Sequence, residues 1–201
     1  MEEIVDLLSG RSIVLASGSP RRRQLLEQIG LQFDVIIPDE SVEAGVCSGR
    51  SPENYVLEAS LQKAAAVAAS LDHELVIAAD TVAVCNGQMI GKPQNREHAH
   101  RILSTLNGKR HFVLTGVTVW DCDTNKHVAR VESSRLQMLQ LSDQQLQRYL
   151  DTDQWIGKAG AFGYQDGLDW VVINKGYVST VVGLPIEVLP DMIRDLFRQP
   201  K

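Results

Sequence analysis

Three consecutive arginines follow a short turn near the start of the chain. The stretch "ASGSPRRR" places Arg21, Arg22 and Arg23 directly after Ser19-Pro20, where Ser as N-cap and Pro at the first helical position predict a helix start. A helix N-terminus is the positive end of the macrodipole, so each cation there costs up to about 1 kcal/mol. A bound phosphate would reverse that cost. The stretch therefore indicates an anion site, and the alternative is the solvated face of a surface helix.

A carboxylate interrupts the most apolar run of the chain. In "VIAADTVAV", Asp80 lies where a buried strand is predicted, and Thr81 follows it. A buried carboxylate needs a cation, a metal or hydrogen bonds. Asp80 is therefore a candidate functional residue, with a structurally satisfied aspartate as the alternative, and Thr81 is a candidate ligand contact.

Two lysines and two acidic residues stand at unusual positions. Lys63 shares a line of its predicted helix with apolar residues, and Lys92 in "GKP" follows a predicted hairpin. Each is either an anion ligand or a snorkelling surface lysine. Asp39 and Glu40 end a predicted strand and are either turn residues or a second carboxylate for a metal.

A glycine-rich stretch, "GKAGAFGYQDG" at residues 157–167, is more apolar than a surface loop requires. Its glycines allow close backbone approach to a ligand, which makes "AGAFG" a candidate wall for a base. Gln165 carries a donor and an acceptor, which suits the imide edge of uracil or thymine. The alternative for Gln165 is an ordinary turn residue.

The composition excludes several classes of protein. The chain has 201 residues, 44% of them hydrophobic, and a net charge of −5, which argues against general nucleic-acid or membrane binding. The three cysteines, Cys47, Cys85 and Cys122, show no CxxC spacing, and the N-terminus lacks signal-peptide features, so a reduced, cytoplasmic protein is expected. His98 and His100 do not share a helix face, so no zinc pair is expected.

Strands and helices in mixed order would position these residues. Strands are predicted at "SIVLAS", "QFDVIIP", "ELVIAADTVAVC" with a hairpin into "QMIGKP", "RHFVLTGVTVWD", "HVARVESSRLQMLQL", "DWVVINKG" and "YVSTVVG". Helices are predicted at "PRRRQLLEQIG", residues 52–71, "NREHAHRILSTLNG", "DQQLQRYLD" and "PIEVLPDMIRDLF", the last bent by Pro190. This order predicts an α/β fold in which helices flank a mixed sheet, in one domain over residues 1–201.

Taken together, "LASGSPRR", "DE" after the second strand, "AADTV", "GKP", "HFVLTGV", "KAGAFGYQ" and "VVGLP" resemble the Maf family of nucleotide pyrophosphatases, from about residue 12 to 198. The resemblance implies the Maf/inosine-triphosphatase-like fold, an elongated mixed β-sheet with flanking helices and a cleft between two lobes. It also implies hydrolysis of nucleoside triphosphates to monophosphate and pyrophosphate, a divalent metal cation (Mg²⁺ or Mn²⁺) and a homodimer.

The resemblance also assigns site residues. The family's catalytic aspartate, the proton acceptor, matches Asp80. The other matches are Arg21, Thr81 and Gln165 for substrate specificity, Ser17, Arg22, Lys63 and Lys92 for phosphate binding, and Glu40 with Asp80 for the metal. The loop "AGAFGYQ" is similar to "AGAYGIQ" of the branch that acts on dTTP and UTP. One departure is Gly157, where many members have Asp.

The resemblance and the residues lead to one hypothesis with two rivals. The hypothesis is attack of water on the α-phosphorus, with pyrophosphate leaving, in a house-cleaning role against non-standard nucleotides. The first rival is a non-hydrolysing nucleotide-binding regulator of cell division, which the Gly157 departure would favour. The second is a phosphohydrolase of another class, which a DxDx[TV] motif would favour, but Val82 stands two residues after Asp80.

Overall fold

The structure, a computed structural model, describes residues 8, 10–39, 42 and 51–198. Its strands are β1 Ile13–Leu15, β2 Asp34–Val35, β3 Leu75–Cys85, β4 Gln88–Ile90, β5 Arg110–Asp121, β6 Lys126–Met138 and β7 Val171–Lys175. Its α-helices are α1 Pro20–Gln28, α2 Pro52–Ala68, α3 Arg96–Leu106, α4 Asp143–Leu150, α5 Val178–Val182 and α6 Leu189–Arg198. Short 3₁₀ turns occupy Ala159–Ala161, Tyr164–Asp166 and Ile186–Val188.

Within the described residues, seven strands form one mixed sheet. The strand order is β2-β1-β3-β5-β6-β7, and β4 pairs with β3. Strand β1 is parallel to both β2 and β3, whereas β4 is antiparallel to β3 and β7 to β6. The predicted mixed sheet with flanking helices is confirmed. Among the helices described, none is long and apolar enough to cross a membrane.

The chain divides into two compact units. Unit 1 consists of Met1–Asp80, Thr115–Glu132 and Gly183–Lys201, and unit 2 of Thr81–Leu114 and Ser133–Val182. Each unit has apolar residues that pack together, which in unit 1 include Val14, Val67 and Val76 and in unit 2 include Leu103, Leu136, Leu146 and Leu150. The single domain over 1–201 and the cleft expected from the family resemblance stay predictions.

Two predicted elements near the C-terminus are wrong in detail. The segment "YVSTVVG" forms the short helix α5 instead of a strand. The two buried residues of this helix, Ser179 and Thr180, are consecutive and do not alternate as on one face of a strand, so packing overrides the weak preference of β-branched residues for strands. Pro190 does not bend a helix, since it is the second residue of α6, where a missing N–H removes no hydrogen bond. The residues before it form a separate 3₁₀ turn.

Candidate functional site

The turn after β1 is held by a buried serine and one of the three arginines. Ser17 Oγ accepts hydrogen bonds from the Ser19 backbone N–H at 3.2 Å and from Arg22 Nη1 at 2.9 Å. Arg22 Nε donates to the Gly183 carbonyl at 2.8 Å. The predicted phosphate residues Ser17 and Arg22 therefore lie together in unit 1. Arg22 also joins this turn to a segment from the other end of the chain.

The three arginines have different environments. Arg21 and Arg22 are partly buried, whereas Arg23 is exposed and lies 3.6 Å from Glu27 one turn later. Such an exposed pair adds only a few tenths of a kcal/mol, so Arg23 fits the alternative of a solvated helix face. The first turn of α1 contains no acidic residue, and Ser19 precedes it without a side-chain cap. The N-terminus of α1 thus carries positive charge that no side chain of its own first turn neutralises.

Asp80 forms a buried ion pair with Lys63. Lys63 Nζ lies 2.6 Å from Asp80 Oδ1, and only 7% of the lysine and 15% of the aspartate side chain are exposed. Lys63 is part of the buried stripe of α2, as the line of apolar neighbours predicted, so the alternative of a surface lysine is wrong. The pair explains how a carboxylate is accommodated in the apolar run of β3, because its charge is matched by a cation.

Close packing of α2 on β5 positions Lys63. A Cβ on Gly116 of β5 would overlap the backbone carbonyl of Val56 in α2, so only glycine allows the helix to approach this strand so closely. Ser60 Oγ of α2 and Thr118 Oγ1 of β5 are hydrogen-bonded at 2.9 Å in the buried interior. Gly116 therefore sets the distance between α2 and the sheet.

The second oxygen of Asp80 can accept one further group. Within the described part of the chain, Lys63 supplies the carboxylate's hydrogen bond, and it does so through Oδ1. That part contains no group of three or more His, Cys, Asp or Glu side chains that could hold a metal, and the predicted ligand Glu40 lies outside the described residues. Mg²⁺ is usually bound through one or two carboxylates plus substrate phosphates, and the second oxygen of Asp80 could supply one such ligand.

The remaining predicted site residues lie in unit 2. Thr81 follows Asp80 in β3 and is half-buried, whereas Lys92, after β4, and Gln165, in the turn Tyr164–Asp166, are exposed. The Gly160 backbone N–H donates to the Gly91 carbonyl at 3.2 Å. The structure thus ties the segment that carries Lys92 to the glycine-rich loop that carries Gln165.

The apolar part of the glycine-rich loop belongs to the core. Ala161 and Phe162 are 0% and 4% exposed and belong to the apolar core of unit 2, so the predicted base wall is wrong for these side chains. The Phe162 ring meets the buried His111 ring edge-to-face, with centroids 5.5 Å apart. Burial lowers the pKa of His111, which keeps its imidazole neutral beside the phenylalanine.

A second lysine–aspartate pair, partly buried and not revealed by the sequence, lies within this loop. Lys158 Nζ donates to Asp166 Oδ2, and the side chains are 12% and 17% exposed. Opposite charges at the two ends of a glycine-rich stretch are the only sequence signal that could have indicated it. Gly157, the departure from the family pattern, has φ +69°, a conformation that glycine adopts without strain.

Comparison with known proteins supports the motif analysis. The family model described as "Maf-like protein" matches residues 12–196. A dTTP/UTP pyrophosphatase of Rhodopirellula baltica is 49% identical over 185 residues, or 92% of this chain and 82% of that protein. A dTTP/UTP pyrophosphatase of Desulforamulus reducens is 41% identical over 188 residues, or 92% of this chain and 96% of that protein. Among solved structures, a HAM1 protein from Coxiella burnetii aligns with TM-score 0.42 at 15% identity, covering 64% of this chain and 73% of its own.

Proposed function

Because this chain belongs to the Maf family, we propose that it hydrolyses nucleoside triphosphates, with dTTP and UTP preferred, to the monophosphate and pyrophosphate. The observation that carries the proposal is the buried Lys63–Asp80 pair, which fixes one carboxylate oxygen and leaves the other for the reacting water. The names of the relatives support the choice of dTTP and UTP.

Positive charge in unit 1 is suited to a polyanionic triphosphate. Arg21, Arg22 and the N-terminus of α1 follow the turn of Ser17, and Ser17 and Gly183 fix the orientation of the Arg22 guanidinium. Electrostatic stabilisation by such preorganised groups is normally the largest contribution to phosphoryl-type transfer. In unit 2, the exposed Lys92 adds a further cation.

The chemical step is an attack of water on the α-phosphorus. Asp80 orients this water and accepts its proton at Oδ2, while the bond from the α-phosphorus to the bridging oxygen breaks and pyrophosphate leaves. Lys63 holds the Asp80 carboxylate in place through Oδ1. A Mg²⁺ or Mn²⁺ ion would be held by Glu40 and the substrate phosphates, with Asp80 as a ligand in place of its role as base, and it would supply further charge neutralisation.

Gln165 is the proposed reader of the base. Its side-chain amide offers one acceptor and two donor hydrogens, which complement the imide edge of thymine and uracil. A site that hydrogen-bonds a base edge rejects other bases more strongly than apolar contact does. Arg21 and Thr81 complete the proposed specificity set.

The proposal extends to assembly and location. The family resemblance implies a homodimer, and the exposed apolar side chains of Ile156, Val172 and Val178 in unit 2 are candidates for its contact surface. Cys85 and Cys122 are free thiols, which supports a cytoplasmic protein. The net charge of −5 supports small nucleotides as ligands rather than nucleic acid or membranes.

A panel assay tests the proposed function. The protein with Mg²⁺ or Mn²⁺ is given dTTP, UTP, CTP, dCTP, GTP, ATP and 7-methyl-GTP, and pyrophosphate and orthophosphate are measured separately. We expect pyrophosphate from dTTP and UTP, and a loss of turnover of about 100-fold or more in Asp80→Asn with nucleotide binding retained. Asp151→Asn, which removes an exposed carboxylate of unit 2, is the matched control. Binding without any product would instead favour the non-hydrolysing regulator.

A further inference from the structure

We propose that the Lys158–Asp166 pair fixes the turn that presents Gln165, which makes Lys158 and Asp166 positioning residues for base discrimination. The inference rests on the proposed function for its substrate. Its structural part, the ordering of the turn, stands on the geometry of unit 2 alone.

The pair closes a loop that is built from two consecutive turns. The Ala161 N–H donates to the Lys158 carbonyl at 3.0 Å, and the Asp166 N–H donates to the Gly163 carbonyl at 3.0 Å. Lys158 begins the first turn and Asp166 ends the second, eight positions later. Their side-chain contact therefore joins the two ends of the loop, which reduces the number of open conformations that it can adopt.

Gly163 shows how tightly the backbone runs past this ion pair. A Cβ at position 163 would overlap both Asp166 Oδ2 and Lys158 Nζ. The pair thus occupies the space that a side chain would need, and it is largely excluded from water. Removing one partner of such a pair leaves a partly buried charge without its counter-ion, whereas removing both does not.

A buried tyrosine lies near the same charged group. Burial raises the pKa of Tyr149, and the charge of Asp166 adds to that shift. The Tyr149 ring meets Trp170 edge-to-face, with centroids 5.0 Å apart. The Lys158–Asp166 pair therefore lies near a packed aromatic pair of the same unit.

Gln165 is exposed, but both of its neighbours in the chain are fixed. Tyr164 packs against the apolar core of unit 2, and Asp166 is tied to Lys158. Fixing the backbone on both sides reduces the ordering that a bound base must impose on the glutamine. Lys158 also differs from a phosphate ligand, because its charge is already matched inside the loop, whereas Lys92 is exposed.

The double variant Lys158→Met/Asp166→Asn tests the proposal without leaving a buried charge. We expect a Tm close to that of the wild type, at least tenfold faster hydrogen exchange of the residue 166 amide, and at least a fivefold lower ratio of kcat/KM for dTTP over CTP. The kcat for dTTP should change less than twofold. Arg96→Met/Asp151→Asn, which removes an exposed pair of the same unit, should leave both the exchange rate and the base ratio unchanged.

Each result separates this inference from the proposed function. Unchanged exchange at residue 166 overturns the inference whether or not the protein hydrolyses nucleotides. Faster exchange with an unchanged base ratio, while Gln165→Ala flattens that ratio, overturns the positioning role alone. A KM that rises equally for all triphosphates in Lys158→Met but not in Asp166→Asn also overturns it, because Lys158 would then be a phosphate ligand. A wild-type protein that releases no pyrophosphate contradicts the proposed function, and the exchange measurement still decides the structural part.

Discussion

The two lysine–aspartate pairs, Lys63–Asp80 and Lys158–Asp166, have the same chemistry but different supports. The first joins helix α2 to strand β3 across 17 positions, and the second closes an irregular loop across eight. The first is held by packing of α2 on β5, where Gly116 permits a close approach. The second is held by the two turns of the loop and by the backbone of Gly163, which passes close to both charged groups.

Under the proposed function, this difference separates two tasks that a phosphate-cleaving site requires. A carboxylate that handles the reacting water must keep one position, and regular elements provide that stability because they move only with the core. A group that reads a base must reach solvent, and a short loop provides that exposure. The Lys158–Asp166 pair limits the movement of the turn that carries Gln165, and Gln165 itself stays exposed.

Replacing the lysine of each pair should give the largest difference in stability between the two pairs. In Lys63→Met, Asp80 is left buried without a cation, and the free energy of unfolding should fall by about 4 kcal/mol. In Lys158→Met the loop can open and hydrate Asp166 while the rest of unit 2 stays folded, so the fall should be only about 1 kcal/mol. Urea denaturation measures both, with Arg23→Met as the exposed control. Equal losses in the two variants would contradict the distinction.

Adding one methyl group should test the support of the first pair alone. In Gly116→Ala, the new Cβ must displace α2 from β5, and the free energy of unfolding should fall by about 3 kcal/mol. Gly91→Ala is the matched control, because a Cβ there meets nothing within 4 Å. Urea denaturation of the two variants gives the comparison. A loss in Gly116→Ala as small as in Gly91→Ala would show that α2 does not depend on this contact.

The smallest expected effect is a dependence of stability on pH, which arises from His111 next to Phe162 of the glycine-rich loop. Burial lowers the pKa of His111 below its ordinary value of 6.5, so the unfolded chain binds a proton there before the folded one does. Stability should therefore fall as the pH drops below 6.5, and the fall should end once the pH is below the folded-state pKa. Thermal melting between pH 8 and pH 5 should show a shallower dependence in His111→Phe.

An exposed histidine, His73, should change the stability with pH in the opposite direction to His111. The hydrogen bond to Asp123 raises the pKa of His73, so His73 contributes stability at low pH that is lost as the pH rises through its folded-state pKa. His73→Gln should therefore steepen the fall toward low pH. Identical pH profiles for the wild type and His111→Phe would contradict the assignment to His111.

Much of the fold and part of the site could be predicted where the signal is local. The apolar run of β3 with its Asn-Gly hairpin and the buried stripe of α2 were visible as patterns, and the same stripe marked Lys63 as unusual. The cost of an isolated buried carboxylate predicted that Asp80 needs a partner, but the sequence did not show that this partner is Lys63. What failed was "YVSTVVG", because propensity cannot show that Ser179 and Thr180 are buried.

The rest of the site depends on contacts between distant parts of the chain. The sequence indicated Arg22 as a phosphate ligand but gave no sign of its bond to Gly183, which spans 161 positions. The Lys158–Asp166 contact was missed for another reason. Periodicity describes helices and strands, whereas two consecutive 3₁₀ turns have no repeating pattern.

The bond between Arg22 and Gly183 has a consequence for synthesis on the ribosome. Unit 1 is assembled from three separate chain segments, and the last of them begins at Gly183. The buried apolar residues of α6, including Met192 and Ile193, leave the ribosome after every residue of unit 2. The nascent chain therefore lacks the bond from Arg22 to Gly183 for most of its synthesis, and that bond can form only after all of unit 2 has been made.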